Sequence, residues 1–201
     1  MEEVIGLISG LIVSLSAIPY GWRVFQRKIQ PNVVSWSIWS FIGLALLLTY
    51  DSSGAEANIW PAVFGFISPC FITILAVWRG ERKRPEWFEI VCLVFGTSSL
   101  TMWWFVRNEP SLAQYALYVA ITADTWAAIP TITMLWRRPE LDRPAMWALF
   151  AFGYGLGCFA ITKHTFANYS LPVYMFVSGS FIALILVAYR IKNKIPLREW
   201  I

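Results

Sequence analysis

Asp124 is the one charged residue that falls deep inside an apolar run of this chain, about midway between Leu112 and Trp136. A carboxylate in hydrocarbon costs roughly 2.5 kcal/mol or more on insertion scales, so an acid retained there marks a functional position by default. Two chemistries suit it: it binds and releases a proton, or it stays ionised and pairs with a cation. The plainer alternative is a carboxyl that lines a wet cavity or caps a local helix break. Thr122, Thr125 and Trp126 stand beside it, and the preceding apolar run offers Thr97-Ser98-Ser99-Leu100-Thr101-Met102-Trp103-Trp104. A ring face and an anion both attract an ammonium group, while hydroxyls with indoles equally suit a sugar or an amino acid. Trp39 and Trp126 are the deepest indoles. The candidate substrate-binding or proton-coupling residues are therefore Asp124, Trp126, Thr125, Trp39, Ser99 and Trp103.

Other chemistries lack their parts. No second acid, inward histidine or nucleophile beside a base accompanies Asp124, so no catalytic residues are assigned and an enzyme is not expected. Cys70, Cys92 and Cys158 sit alone in apolar runs, and His164 lies in a loop beside Lys163, which points to no metal site, no disulfide framework and no cofactor. A retinal protein would need a lysine within 171–189, where there is none. Asn168-Tyr169-Ser170 is a glycosylation acceptor pattern, though one that abuts an apolar run.

The elements that must position Asp124 follow from composition. Of 201 residues, 58% are hydrophobic and only 28 are charged, about half the usual charged fraction, which excludes a soluble domain of this length. Apolar runs near 4–20, 34–50, 58–78, 88–106, 112–136, 145–162 and 171–189 predict an all-α membrane protein of seven transmembrane helices, leaving no room for a separate catalytic domain. Met1-Glu2-Glu3 is acidic where a signal peptide carries base, so the first run is expected to be retained as a span. Lys and Arg divide 14 against 2 between the two sides, the minority being Arg107 and Lys163. The basic side is the cytoplasmic one, which places the C-terminus inside and the N-terminus outside. Basic residues spread between apolar runs give no nucleic-acid face; the expected partners are the lipid bilayer and a small-molecule solute, and a homo-oligomer is compatible with the chain. A bacterial-type plasma membrane is the expected host, with an organelle membrane left open. Trp22, Trp60, Trp78, Trp87, Trp136 and Trp200 fall at span ends as interfacial anchors, and Gly153, Gly155, Gly157 and Gly179 permit close helix approach.

Shifting the chain by 111 positions aligns Ala17-Ile18-Pro19 with Ala128-Ile129-Pro130, and, without a gap, Arg27 with Arg138, Trp36 with Trp147, Phe41 with Phe152, Pro61 with Pro172 and Arg79 with Arg190. The division that follows is 1–79 as a first three-helix repeat, 80–110 as a linker helix and 111–201 as a second repeat with a basic tail. An odd number of spans per repeat with a single linker gives both copies the same orientation, a parallel repeat with its site expected near the midplane.

These features resemble the SWEET/PQ-loop family of small membrane transporters in its three-one-three form, over nearly the whole chain. The matching stretches are Ser16-Ala17-Ile18-Pro19 with Arg27-Lys28 and Ser35-Trp36-Ser37-Ile38-Trp39, then Ala127-Ala128-Ile129-Pro130 with Arg137-Arg138 and Trp147. The resemblance implies alternating access, with Pro19 and Pro130 as hinges of a cytoplasmic gate. Family features that differ here are the Pro-Gln pair, which reads Pro19-Tyr20 and Pro130-Thr131, and the asparagine of sugar carriers, replaced by Ala62 and Val173. The solute class thus stays open among sugar, amino acid and cationic amine, and a receptor module on the same fold is the alternative function.

Overall fold

The computed structural model describes residues 1–82 and 84–200. Among them are seven α-helices: α1 Glu2–Phe25, α2 Val33–Ser52, α3 Trp60–Arg79, α4 Trp87–Val106, α5 Pro110–Arg137, α6 Pro144–Gly157 and α7 Phe166–Lys192. Each of the seven apolar runs falls on a helix, with ends that differ by up to five residues. Their starts carry chemical signals: the Asn32 side chain accepts from the N–H of Val34 ahead of α2, Thr165 accepts from Asn168 ahead of α7, and prolines open α5 and α6, where the missing N–H costs nothing.

Five of the described helical segments are long and apolar enough to cross a membrane: Glu2–Phe25, Val33–Ser52, Ala57–Arg79, Trp87–Val106 and Phe166–Lys192. This is the make-up of an integral multi-pass membrane protein. Two helices fall short of that standard. α6 with its terminal turn, Pro144–Ala160, is short, and α5 is diluted by Gln114, Thr122, Asp124, Thr125, Thr131 and Thr133. One face of α5 is buried, with Ala113, Ala116, Leu117, Ala120, Ala123, Asp124, Ala127 and Ala128, while Leu112, Tyr115, Ile129 and Trp136 are exposed. The outer faces of the others are apolar, with Leu11, Leu15 and Ile18 on α1, Ile67, Phe71 and Ile74 on α3, and Ile90 and Val94 on α4 exposed. Large apolar surfaces of this kind are covered by something other than water, here a bilayer's hydrocarbon.

Packing runs in the same order in both halves. α3 lies between α1 and α2, and α7 lies between α5 and α6, while α1 packs on α6 and α2 on α5; α4 leans on α5 and α2. Adding 111 to Val33, the start of α2, gives Pro144, the start of α6. Arg79 at the end of α3 donates to the Phe25 carbonyl at 2.9 Å, and its counterpart Arg190 donates to the Pro139 and Asp142 carbonyls at 3.4 and 2.5 Å. Arg79 thus bonds the last residue of α1, and Arg190 the connection that follows α5. The halves are not equal: α5 meets α7 far less than α1 meets α3.

Small residues let the backbones approach. A Cβ at Gly6 would stand 1.9 Å from the Ala57 carbonyl oxygen, and one at Gly153 would stand 2.6 Å from Val13 Cγ2 and 2.9 Å from the Ser9 carbonyl oxygen. Gly6→Val and Gly153→Val are therefore expected each to cost about 1–3 kcal/mol by overpacking. The check is thermal denaturation in detergent, where an unchanged midpoint would contradict the close approach.

Candidate functional site

Asp124 is buried at 5% exposure near the centre of α5. The hydroxyl of Tyr174, from α7, donates to its Oδ2 at 2.8 Å and is in turn 3.2 Å from Thr125 Oγ1. Among the described residues no cation forms an ion pair with Asp124. Tyr154 of α6 and Cys92 of α4 belong to the same buried cluster as Ala123, the neighbour of Asp124 on α5. The hydroxyl of Tyr174 satisfies one oxygen of the carboxylate without neutralising it.

A cavity of about 110 Å³ opens between α2, α4 and α5, lined by Ser35, Trp39, Glu89, Cys92, Ala127 and Pro130 among others. Asp124 stands three residues before Ala127, one turn along the same face of α5. Of the sequence candidates, Trp39 lines this cavity directly, and Pro130 forms part of its wall. Trp126 is half-buried and meets Trp87 edge-on at 6.3 Å between ring centroids. Thr125 is exposed and its hydroxyl donates to the Ile121 carbonyl at 2.8 Å. Ser99 and Trp103 are not brought to the cavity. Ser99 donates to the Ala116 carbonyl at 2.8 Å, clamping α4 to α5, and the Trp103 indole donates to Ser52 Oγ at 2.8 Å at the far end of α2. Both polar groups are consumed in holding helices together. Pro19 and Pro130 lie inside α1 and α5, which run through them without interruption. Trp36 and Trp147 pack within their own halves, against Tyr20 and against Leu135, Ile182 and Leu186 respectively.

Two participants had no local signal in the sequence. Tyr174 sits 50 residues from Asp124, in the first third of an apolar helix. Glu89 stands at the start of a span, where a charge ordinarily meets water, yet it is 5% exposed; Ser35 Oγ donates to its Oε1 at 2.5 Å and the N–H of Glu86 to its Oε2 at 2.8 Å.

Away from the basic loops, the opposite end of the bundle is tied shut. Tyr50 donates to the Asn168 carbonyl at 2.6 Å, Asn58 Nδ2 donates to Tyr50 at 2.5 Å, and Asn168 Nδ2 donates to the carbonyls of Lys163 at 2.8 Å and Gly54 at 3.4 Å. Asn168 is 1% exposed with its amide so engaged, which removes it as a glycosylation acceptor in the folded protein. Above this buried network, Lys163 pairs with Glu56 at 2.8 Å and Thr162 donates to the same carboxylate. Among the described residues, the side-chain hydrogen bonds joining the first half to the second all lie at this end.

Hydrogen bonding from Lys163, then from Thr162, holds the Glu56 carboxyl below its ordinary range. A depressed acid contributes its stability above the unfolded value and loses it as pH falls through the folded one. Acidification below the ordinary carboxylate range is therefore expected to loosen residues 53–56 and 161–165. Hydrogen exchange of these loops against pH should show the effect, and Glu56→Gln should flatten it; equal acid sensitivity in the variant would contradict the assignment to Glu56.

No family model matches the chain, and neither does any curated protein or solved structure.

Proposed function

We propose that the protein is an alternating-access carrier of a small polar solute, built like SWEET/PQ-loop transporters. In this reading all seven helices span the membrane, the basic loops are cytoplasmic, and the two three-helix groups rock about the linker α4. The observation that carries the proposal is Asp124: a buried carboxylate, held by a neutral tyrosine, unpaired with any cation among the described residues and one turn from a polar-lined cavity. A charge left in this state is completed by a proton, water or the solute. Three further features support the reading. The halves share one packing order, the cavity lies toward the basic end, and hydrogen bonds between halves gather at the other end, as a carrier closed on one side requires. Sugars, amino acids and cationic amines are the solute classes, with proton coupling through Asp124 as the added possibility.

Counterflow in liposomes tests this. The purified protein should exchange at least one labelled solute from a panel of these three classes faster than protein-free vesicles. Binding without exchange of any of them would instead favour a receptor module.

Pro19 and Pro130 are the proposed hinges, since each ring removes the bond to the carbonyl four residues back. The double change Pro19→Ala with Pro130→Ala is expected to slow counterflow about tenfold, or about 1.4 kcal/mol on the barrier, with the fold intact. Unchanged exchange in the double variant would remove the hinges.

A further inference from the structure

Glu89 is the third residue of α4, and a carboxylate in a helix's first turn is favoured by the unpaired N–H groups there. Capping accounts for its position along the helix. It does not account for its burial at 5%, its reach across to Ser35 of α2, or its place in the wall of the cavity. Both donors to Glu89 are neutral, the Ser35 hydroxyl and the Glu86 N–H, and among the described residues no ion pair includes it. The negative charge is thus solvated by dipoles but not compensated.

The rest of the wall suits one kind of occupant. Trp39 and Phe88 border the same cavity, and ring faces attract cations. Cys92, one turn deeper along α4, lies within electrostatic reach of both Glu89 and Asp124. Glu89 thus stands in the cavity wall, and Asp124 lies one turn of α5 from Ala127 of the same wall. A divalent metal is a poor fit, because it wants six or more oxygen ligands and the side chains of the wall offer one carboxylate and the hydroxyls of Ser35 and Thr131. An anion would meet the same charge.

The geometry points to a small monovalent ammonium ion as the occupant of this cavity, with Glu89 as its counter-charge and the rings of Trp39 and Phe88 against its alkyl groups. At about 110 Å³ the cavity admits an ammonium of a few carbon atoms. The assignment deepens the carrier reading and rests on it for the onward step to Asp124, though the binding itself needs no transport.

Thermal denaturation of the purified full-length protein in detergent tests it, with tetramethylammonium chloride as the probe and sodium chloride and tert-butanol as controls of charge and shape. Tetramethylammonium should raise the midpoint, as any ligand of the folded state does, and neither control should match it. Glu89→Gln keeps the capping bond, its carbonyl oxygen accepting from the Glu86 N–H as glutamine does in a capping box, while its amide N–H donates to Ser35 Oγ in place of the bond the carboxylate accepts there. It should unfold near the wild-type midpoint without ligand and bind tetramethylammonium at least tenfold more weakly. Trp39→Leu, which leaves the cap untouched, should weaken binding similarly and decides the matter if Glu89→Gln does not fold. Equal stabilisation by tert-butanol, or undiminished binding in these variants, overturns the assignment. Counterflow of a sugar or amino acid without ammonium binding would sink this inference and leave the carrier standing; ammonium binding without counterflow of any solute would do the reverse.

Discussion

Asp124→Asn is expected to lower solute exchange at neutral pH by about a hundredfold while the protein folds normally. Asparagine has the same size and still accepts from Tyr174 through its carbonyl oxygen, so the bond of 2.8 Å has a replacement. Only the charge is lost. Hydrogen bonds to charged groups contribute about 1.5–3 kcal/mol, and 1.4 kcal/mol is tenfold in affinity, which sets the size of the effect. The variant also separates two roles. If the carboxylate pairs with a cation, binding should fall at every pH; if it carries a proton, binding should survive while pH-driven accumulation disappears. Normal exchange with normal pH dependence would show that the acid is only tolerated.

Asn168→Ala should have the next largest effect, at the end away from the basic loops. The change deletes the buried amide that donates to the Lys163 and Gly54 carbonyls, and leaves those part-buried acceptors without it. An unsatisfied buried group costs about 1–3 kcal/mol. A shift of about 2 kcal/mol toward the opened end changes the open-to-closed ratio roughly thirtyfold. Ser53, 6% exposed and next in the chain to Gly54, reports the change: a cysteine placed there should react with a water-soluble thiol reagent many times faster in the Asn168→Ala background. Equal reactivity in both backgrounds would mean that the network does not hold that end.

What could be read without coordinates was what depends on runs and local spacing. Helix bounds followed from apolar runs, and the small residues at Gly153 and Gly157 sit where α6 meets α1 and α3. The burial of Asp124 was legible because its whole neighbourhood is apolar. Partners across the fold were not. Nothing local joins Tyr174 to Asp124 or Tyr50 to Asn168, since hydroxyls in apolar helices are common and their direction is set by packing. Glu89 carries no such signal, because a charge at a span end reads as solvated; the bond that draws it toward α2 comes from Ser35, 54 residues away. Ser99 and Trp103 show the converse. A hydroxyl or indole in a span looks available for a solute until the structure shows it bonded to a neighbouring helix.

The most direct test of the carrier is a pair of distances measured across the two halves by spin labels in lipid, with and without a saturating transported solute. Labels at Asp51 and His164, both exposed, report the end closed by Asn168; labels at Arg27 and Arg138, equivalent under the repeat and also exposed, report the basic end. Alternating access predicts that the solute moves the two distance distributions in opposite directions, one end opening as the other closes. Distances that stay fixed at both ends, or that lengthen together, would contradict it.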